Sequence, residues 1–300
     1  MHGARLFGQT AAMATTPPGW YPDPSSGPGA LRYWTGTEWS MQVAVPSTVK
    51  VPPLPPAPRP PHPTLPVQVA IGALLSLAVP LVASRSLVRW LADYRWPIAV
   101  YIVILGLLAY GPPLLYWRWA IKRWGSGNPR ADVGFTARWV DCGWGPVTWL
   151  AQIGALMAMA MIIRLLHIPF QGNTEGINKL RDNHAYVVTI LIVAVIAAPI
   201  VEEIVFRGLV MRGFLSVMPA WLAVGLQGVL FGCAHYDPSR GMGNIGLIMV
   251  LSAMGVMLGG SSYLLRRLAS NMIAHGIHNT IAMVINLVSG MTLPLVLISV

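Results

Sequence analysis

Three short polar groups interrupt otherwise apolar sequence. Val201–Gly208 reads VEEIVFRG; it sets Glu202 and Glu203 side by side, with Arg207 four residues after Glu203. Phe231–His235 reads FGCAH and places His235 near the end of a charge-free stretch. His275–Asn279 reads HGIHN. On a helix, residues four apart share a face. Glu203 can therefore pair with Arg207, while Glu202 points about 100° away to a different neighbour. His275 and Asn279 share a face, and His278, one position short of Asn279, points partly elsewhere. One free carboxylate, two imidazoles and an amide form a hydrolytic set: a base, a group to hold water, and donors for a developing oxyanion. Glu202, His235 and His275 are also residue types that ligate zinc with a position left open for water. Chemistry alone leaves that metal open.

Each group has a plainer reading. An interfacial ion pair explains Glu203 with Arg207, but not the second acid beside them. His235 alone would be a hydrogen-bonded packing residue, and His275 with Asn279 would be polar contacts between helices. Spacing favours function. Glu202 lies 16 residues before Met218 and His235 lies 16 residues after Pro219. If the chain turns at Met218-Pro219, a rise of roughly 1.5 Å per residue puts both side chains at similar depth on antiparallel helices. A third helix then brings His275 and Asn279 alongside.

These elements must lie in a membrane. The 300 residues are 55% hydrophobic and only 10% charged, with a mean hydropathy of +0.59. Soluble domains carry roughly 25% charged residues. Charge-free stretches recur at Val67–Ala83, Trp96–Trp117, Cys142–Ile163, Asn183–Val201, Gly213–Tyr236, Gly241–Leu265 and Leu268–Val300. Each approaches or exceeds the roughly 20 residues a transmembrane helix needs. The expected fold is an all-α polytopic membrane protein of seven transmembrane helices, with a partial eighth beyond Gly290 as the alternative. The first 15 residues lack an apolar leader core, so the run from Val67 reads as a signal anchor. With the N-terminus inside, the inner segments carry 13 of the 20 Lys and Arg, counting Arg207, Arg212, Arg266 and Arg267. That asymmetry predicts a cell-membrane protein with a cytoplasmic N-terminus. It also explains the net charge of +10 without nucleic acid.

Residues 1–45 form a small aromatic-rich module, 46–66 a proline-rich linker, and 67–300 the transmembrane domain. In the module, Pro22-Asp23-Pro24, Ser26-Gly27-Pro28 and Thr35-Gly36 are turn signals. Leu31–Trp34 and Glu38–Val43 are predicted strands. The linker, with VPPLPPAPRPPHPTLP, is expected to be an extended polyproline II spacer. Gly255 and Gly259 form GxxxG, a close-packing signal. Cys233 is expected to be a buried, inert hydrophobe. Gly241–Gly246 reads as a loop, since it lacks the lysine of a phosphate-binding loop. Met157, Met159 and Met161 read as lipid-facing or core filler. Cys142 and Cys233 make neither a disulfide framework nor a zinc cluster.

The ordered set Glu202-Glu203…Arg207, Phe231…His235 and His275…Asn279 on successive apolar segments resembles the CPBP intramembrane proteases. This family includes the type II CAAX prenyl endopeptidases and bacteriocin-processing and self-immunity proteins. The similarity covers about Ala185–Gly290. It implies a metal-independent, glutamate-dependent endopeptidase acting on a membrane-associated protein or peptide, without a cofactor. Glu202 would be the general base and His235 would hold the water. His275 and Asn279 would stabilise the oxyanion, and Glu203 with Arg207 would fix the helix behind them. The lack of an HExxH motif agrees, although zinc stays open. Gly19–Val43 is similar to a short domain of unknown function, with a WYPDP…LRYWxGxxW pattern, that precedes membrane segments in bacterial proteins. That resemblance implies a β module and leaves room for a cytoplasmic partner. Two alternatives stand beside the protease: a non-catalytic partner- or peptide-binding protein of the same fold, and a proton-coupled transporter. The sequence halves show no inverted repeat that would favour the transporter.

Overall fold

The computed structural model describes residues 16–23, 25–26, 29–44, 65–91, 93–174 and 177–289. The chain forms two units, Met1–Pro60 and Pro61–Val300. Most of the predicted linker and the tail from Gly290, where an eighth helix was the alternative, lie outside the described residues.

The first unit is a three-stranded antiparallel sheet of β1 (Gly19–Pro22), β2 (Leu31–Trp34) and β3 (Trp39–Ala44). Two strands match the expectation. β1 was not expected, because Gly19–Pro22 is too short and proline-rich to signal a strand. Cross-strand aromatic pairs hold it against β2, with the rings of Trp20 and Tyr33 5.5 Å apart. Trp34 and Trp39 pair at 5.2 Å between β2 and β3. Asp23 ties the first turn by accepting from the Ser25 amide and the Ser25 and Ser26 hydroxyls and by pairing with Arg32 Nε. These donors, the Ser26 hydroxyl foremost, hold its carboxyl well below the usual carboxylate range.

The second unit is helical. Its main elements are α1 (Val67–Leu91), α2 (Ile98–Trp124), α3 (Pro129–Val133), α4 (Asp141–Leu165), α5 (His184–Phe214), α6 (Ala220–Cys233), α7 (Gly243–Leu265) and α8 (Ala269–Ser289). Five of these, α2, α4, α5, α7 and α8, are long and apolar enough to cross a membrane. The apolar part of α1, Val67–Pro80, and all of α6 are shorter. Each expected apolar stretch contains a helix among the described residues, and five helices meet the length of a full span.

Several boundaries move for physical reasons. α5 does not stop at Val201 but runs through Glu202, Glu203 and Arg207 to Phe214, because the charges pair with one another inside the bundle. Two π-helical stretches, Ile192–Ala197 and Glu203–Val210, lie within it, and such widened turns recur at functional sites. The predicted hairpin turn falls at Leu215–Pro219. Gly241–Gly246 is only partly a loop, since α7 starts at Gly243.

Small residues let α6 and α7 touch. A Cβ on Gly255 would meet Gly228 Cα at 2.8 Å, and one on Gly259 would meet Gln227 Nε2. This bears out the GxxxG reading. Gly232 also faces α7, against Ser252. Cys233, about 100° further round, is exposed rather than buried. Met157 and Met161 are exposed, as expected for one of the two roles considered.

The loops gather at two ends. At one end, Arg212 Nη1 donates to Asp132 O (3.1 Å), the Leu268 amide donates to Gly134 O (2.9 Å), and Arg267 pairs with Asp141. These contacts join three segments that charge counting put on one side. At the other end, the Gly246 amide donates to Pro169 O (3.0 Å) and Arg240 Nη1 to Gly172 O (2.7 Å). Arg207 belongs to neither end. It is fully buried, so it leaves the loop count.

Replacing Gly255 with leucine forces α6 and α7 apart. The expected loss is about 1–3 kcal/mol or more, measured by unfolding in detergent micelles, with Gly260→Leu, which has open space, as the near-neutral control.

Candidate active site

The site is built around a buried charge. Glu203 and Arg207 have no exposed side-chain area, and Arg207 Nη1 donates to Glu203 Oε1 at 2.9 Å. A buried ion pair relies on further partners for its remaining donors and acceptors, and here all but Arg207 Nε of the pair's side-chain atoms find one. Arg207 Nη2 donates to Gly255 O on α7 (3.2 Å), and its guanidinium lies 4.6 Å from the centroid of the Phe231 ring. Glu203 Oε2 accepts from Asn271 Nδ2 (3.2 Å), which also donates to Leu258 O (2.6 Å). Glu203 Oε1 accepts from His275 Nδ1 at 3.2 Å. One carboxylate thereby joins α5 to α8, and its arginine joins α5 to α6 and α7.

That network fixes what faces the cavity. A cavity of about 360 Å³ is lined by Glu202, His235, His275, His278 and Asn279, together with apolar side chains such as Phe231 and Val205. All four residues proposed from sequence for chemistry therefore line one cavity. Glu203 and Arg207 lie behind it. His275 Nε2 is 3.8 Å from Glu202 Oε2. This is longer than a hydrogen bond, and it becomes an ion pair only with the ring protonated. Because Nδ1 of His275 donates to Glu203, its neutral ring carries the lone pair on Nε2. His235 Nδ1 is 2.9 Å from Phe231 O. A carbonyl only accepts, so His235 Nδ1 carries the proton and Nε2 is the acceptor. Asn279 spends one amide proton on Ala194 O at 2.7 Å and keeps a second.

Three residues of the site escaped the sequence reading or were discounted in it. Asn271 lies four before His275, so the ladder Asn271, His275, Asn279 signals one helical face. His278 lies three after His275, a spacing that also shares that face, and it lines the cavity rather than pointing away. Tyr110, on α2, lines the cavity with Glu202. No spacing relation in the sequence connects it to Glu202. Among the described residues, no three His, Cys, Asp or Glu side chains gather in an arrangement able to hold a metal ion.

The fold and site are those of a multi-pass helical membrane protein with a carboxylate–histidine cavity. Residues 184–281 match the family described as type II CAAX prenyl endopeptidase Rce1-like. Residues 18–63 match a protein family of unknown function, DUF2510. Both resemblances drawn from the motifs are borne out, and the first supports a CAAX-type intramembrane protease. No curated protein and no solved structure matches the chain.

Asn271→Leu strips Glu203 Oε2 of the donor described here. The expected cost is about 1–3 kcal/mol, read as a lowered unfolding midpoint in detergent, with Asn271→Asp worse because it opposes two carboxylates.

Proposed function

We propose that the protein is a metal-independent intramembrane endopeptidase that uses Glu202 as general base on a membrane-associated protein or peptide. The observation that carries this reading is Glu202 itself. It is a carboxylate left outside the buried ion pair, on the wall of a cavity that also holds His235 and His275, within the segment that matches the Rce1-like family.

Water held between Glu202 and His235 Nε2 attacks the scissile carbonyl carbon, and its proton passes to Glu202. The carbonyl π electrons move to oxygen, giving a tetrahedral oxyanion. As this intermediate collapses, the C–N bond breaks and the leaving nitrogen takes the proton back from Glu202. The contact of His275 Nδ1 with Glu203 favours a role in holding the buried pair, with the ring placed beside Glu202, over its expected role as oxyanion donor. Asn279 retains a proton for the oxyanion. The apolar walls exclude bulk water, which strengthens these interactions. Such a site needs no cofactor and recognises an extended peptide delivered from the bilayer. The loop end that holds Arg212 and Arg266 faces the cytoplasm, as the Lys and Arg excess indicates.

The test is cleavage of internally quenched CAAX peptides, farnesylated and unmodified, by protein in liposomes. Glu202→Gln is expected to lower kcat at least 10²-fold while unfolding normally. No cleavage of either peptide by the wild type, or undiminished cleavage by Glu202→Gln, contradicts the reading.

A further inference from the structure

We infer that His278 is a further catalytic residue, donating through its Nε2–H to the oxyanion; this rests on the endopeptidase reading above. His278 is only 8% exposed, yet it lines the cavity with Glu202, His235 and Asn279. Its Nδ1 is buried without a hydrogen-bond partner. A buried polar atom left unpaired costs free energy, and an orphaned N–H is rarer than an under-used acceptor. Nδ1 is therefore the unprotonated nitrogen, and the ring proton sits on Nε2. A buried side chain that keeps one nitrogen unpaired and turns the rest of its ring to a reaction cavity is poorly explained by packing.

The neighbouring groups leave this role unfilled. His275 spends Nδ1 on Glu203 Oε1 at 3.2 Å, and its Nε2 faces Glu202 Oε2 at 3.8 Å. Its neutral ring presents a lone pair, not a proton, beyond Glu203. His235 spends its proton on Phe231 O. Asn279 spends one of two on Ala194 O. A tetrahedral oxyanion served by Asn279 alone would have a single amide donor. His278 lies three residues after His275 and one before Asn279, in the same sector of α8, and its Nε2–H supplies the second. The imidazole donates a hydrogen bond throughout and transfers no proton, so the atom balance of hydrolysis is unchanged.

The test uses the full chain in liposomes with the peptide that the wild type cleaves. His278→Leu fills the same buried space without a donor. It should lower kcat roughly 10²–10³-fold, the usual cost of one oxyanion donor, with KM within about twofold. His278→Gln places an amide nitrogen near the position of Nε2 and should recover most of that loss. A packing role would not separate kcat from KM, nor be rescued by glutamine. Unfolding midpoints in detergent accompany both variants; if leucine does not fold, His278→Met replaces it. Wild-type kcat in the leucine or methionine variant, or glutamine as impaired as leucine at a normal midpoint, overturns the assignment. Glu202→Gln is assayed in parallel. If it is inactive while His278→Leu is fully active, only the His278 role falls; if it is active, the endopeptidase reading falls.

Discussion

A buried charge that cannot be left alone organises this molecule. Isolated carboxylates and guanidinium groups are too costly to take out of water. Once Glu203 and Arg207 sit inside the bundle, every neighbour must supply a donor, an acceptor or an aromatic face. Asn271, His275, Gly255 O and Phe231 do so. They come from α6, α7 and α8, so the pair on α5 sets how four helices meet. The close approach of Gly228 and Gly255 has the same consequence, since it brings the Gly255 carbonyl within reach of both Arg207 Nη2 and Gln227 Nε2.

The pair also divides labour between two adjacent acids. Glu203 is consumed by structure, with three donors on its two oxygens. Glu202, one residue earlier and rotated about 100°, faces the cavity with 15% of its side chain exposed. His275 touches both, with one nitrogen on each carboxylate. The same imidazole that completes the buried network thus stands beside the group proposed for chemistry. Tyr110 lines the cavity with Glu202 from α2, outside the segment matched to the Rce1-like family. α2 therefore closes the cavity and is more than a spacer helix.

Much of this was legible because membrane burial makes charge rare. Two of 10 acids stand together at Glu202-Glu203, and i,i+4 spacing tied Glu203 to Arg207 and His275 to Asn279. The same rarity misled where a charge was read as a loop marker. Arg207 was counted with the loop cations because spacing cannot tell a buried pair from an interfacial one. The continuation of α5 past Val201 was hidden for that reason. His278 was discounted by its angle to Asn279 rather than to His275. Tyr110 had no signal, because its partner is distant in sequence. β1 was missed because its stability comes from cross-strand aromatic pairing, not from strand propensity. Cys233 was assigned to the core from its residue type, whereas the side that α6 turns to α7 is set by Gly228 and Gly232.

The central claim is that the Glu203–Arg207 pair is the joint on which the site depends. A double-mutant cycle with Glu203→Gln, Arg207→Met and the double variant, read by reversible unfolding in detergent micelles, measures this most directly. Each single variant leaves an uncompensated buried group and should cost about 3–5 kcal/mol. The double variant should recover much of that loss, giving a coupling of at least about 2 kcal/mol. Single variants that unfold like the wild type, or costs that simply add in the double variant, would contradict the account.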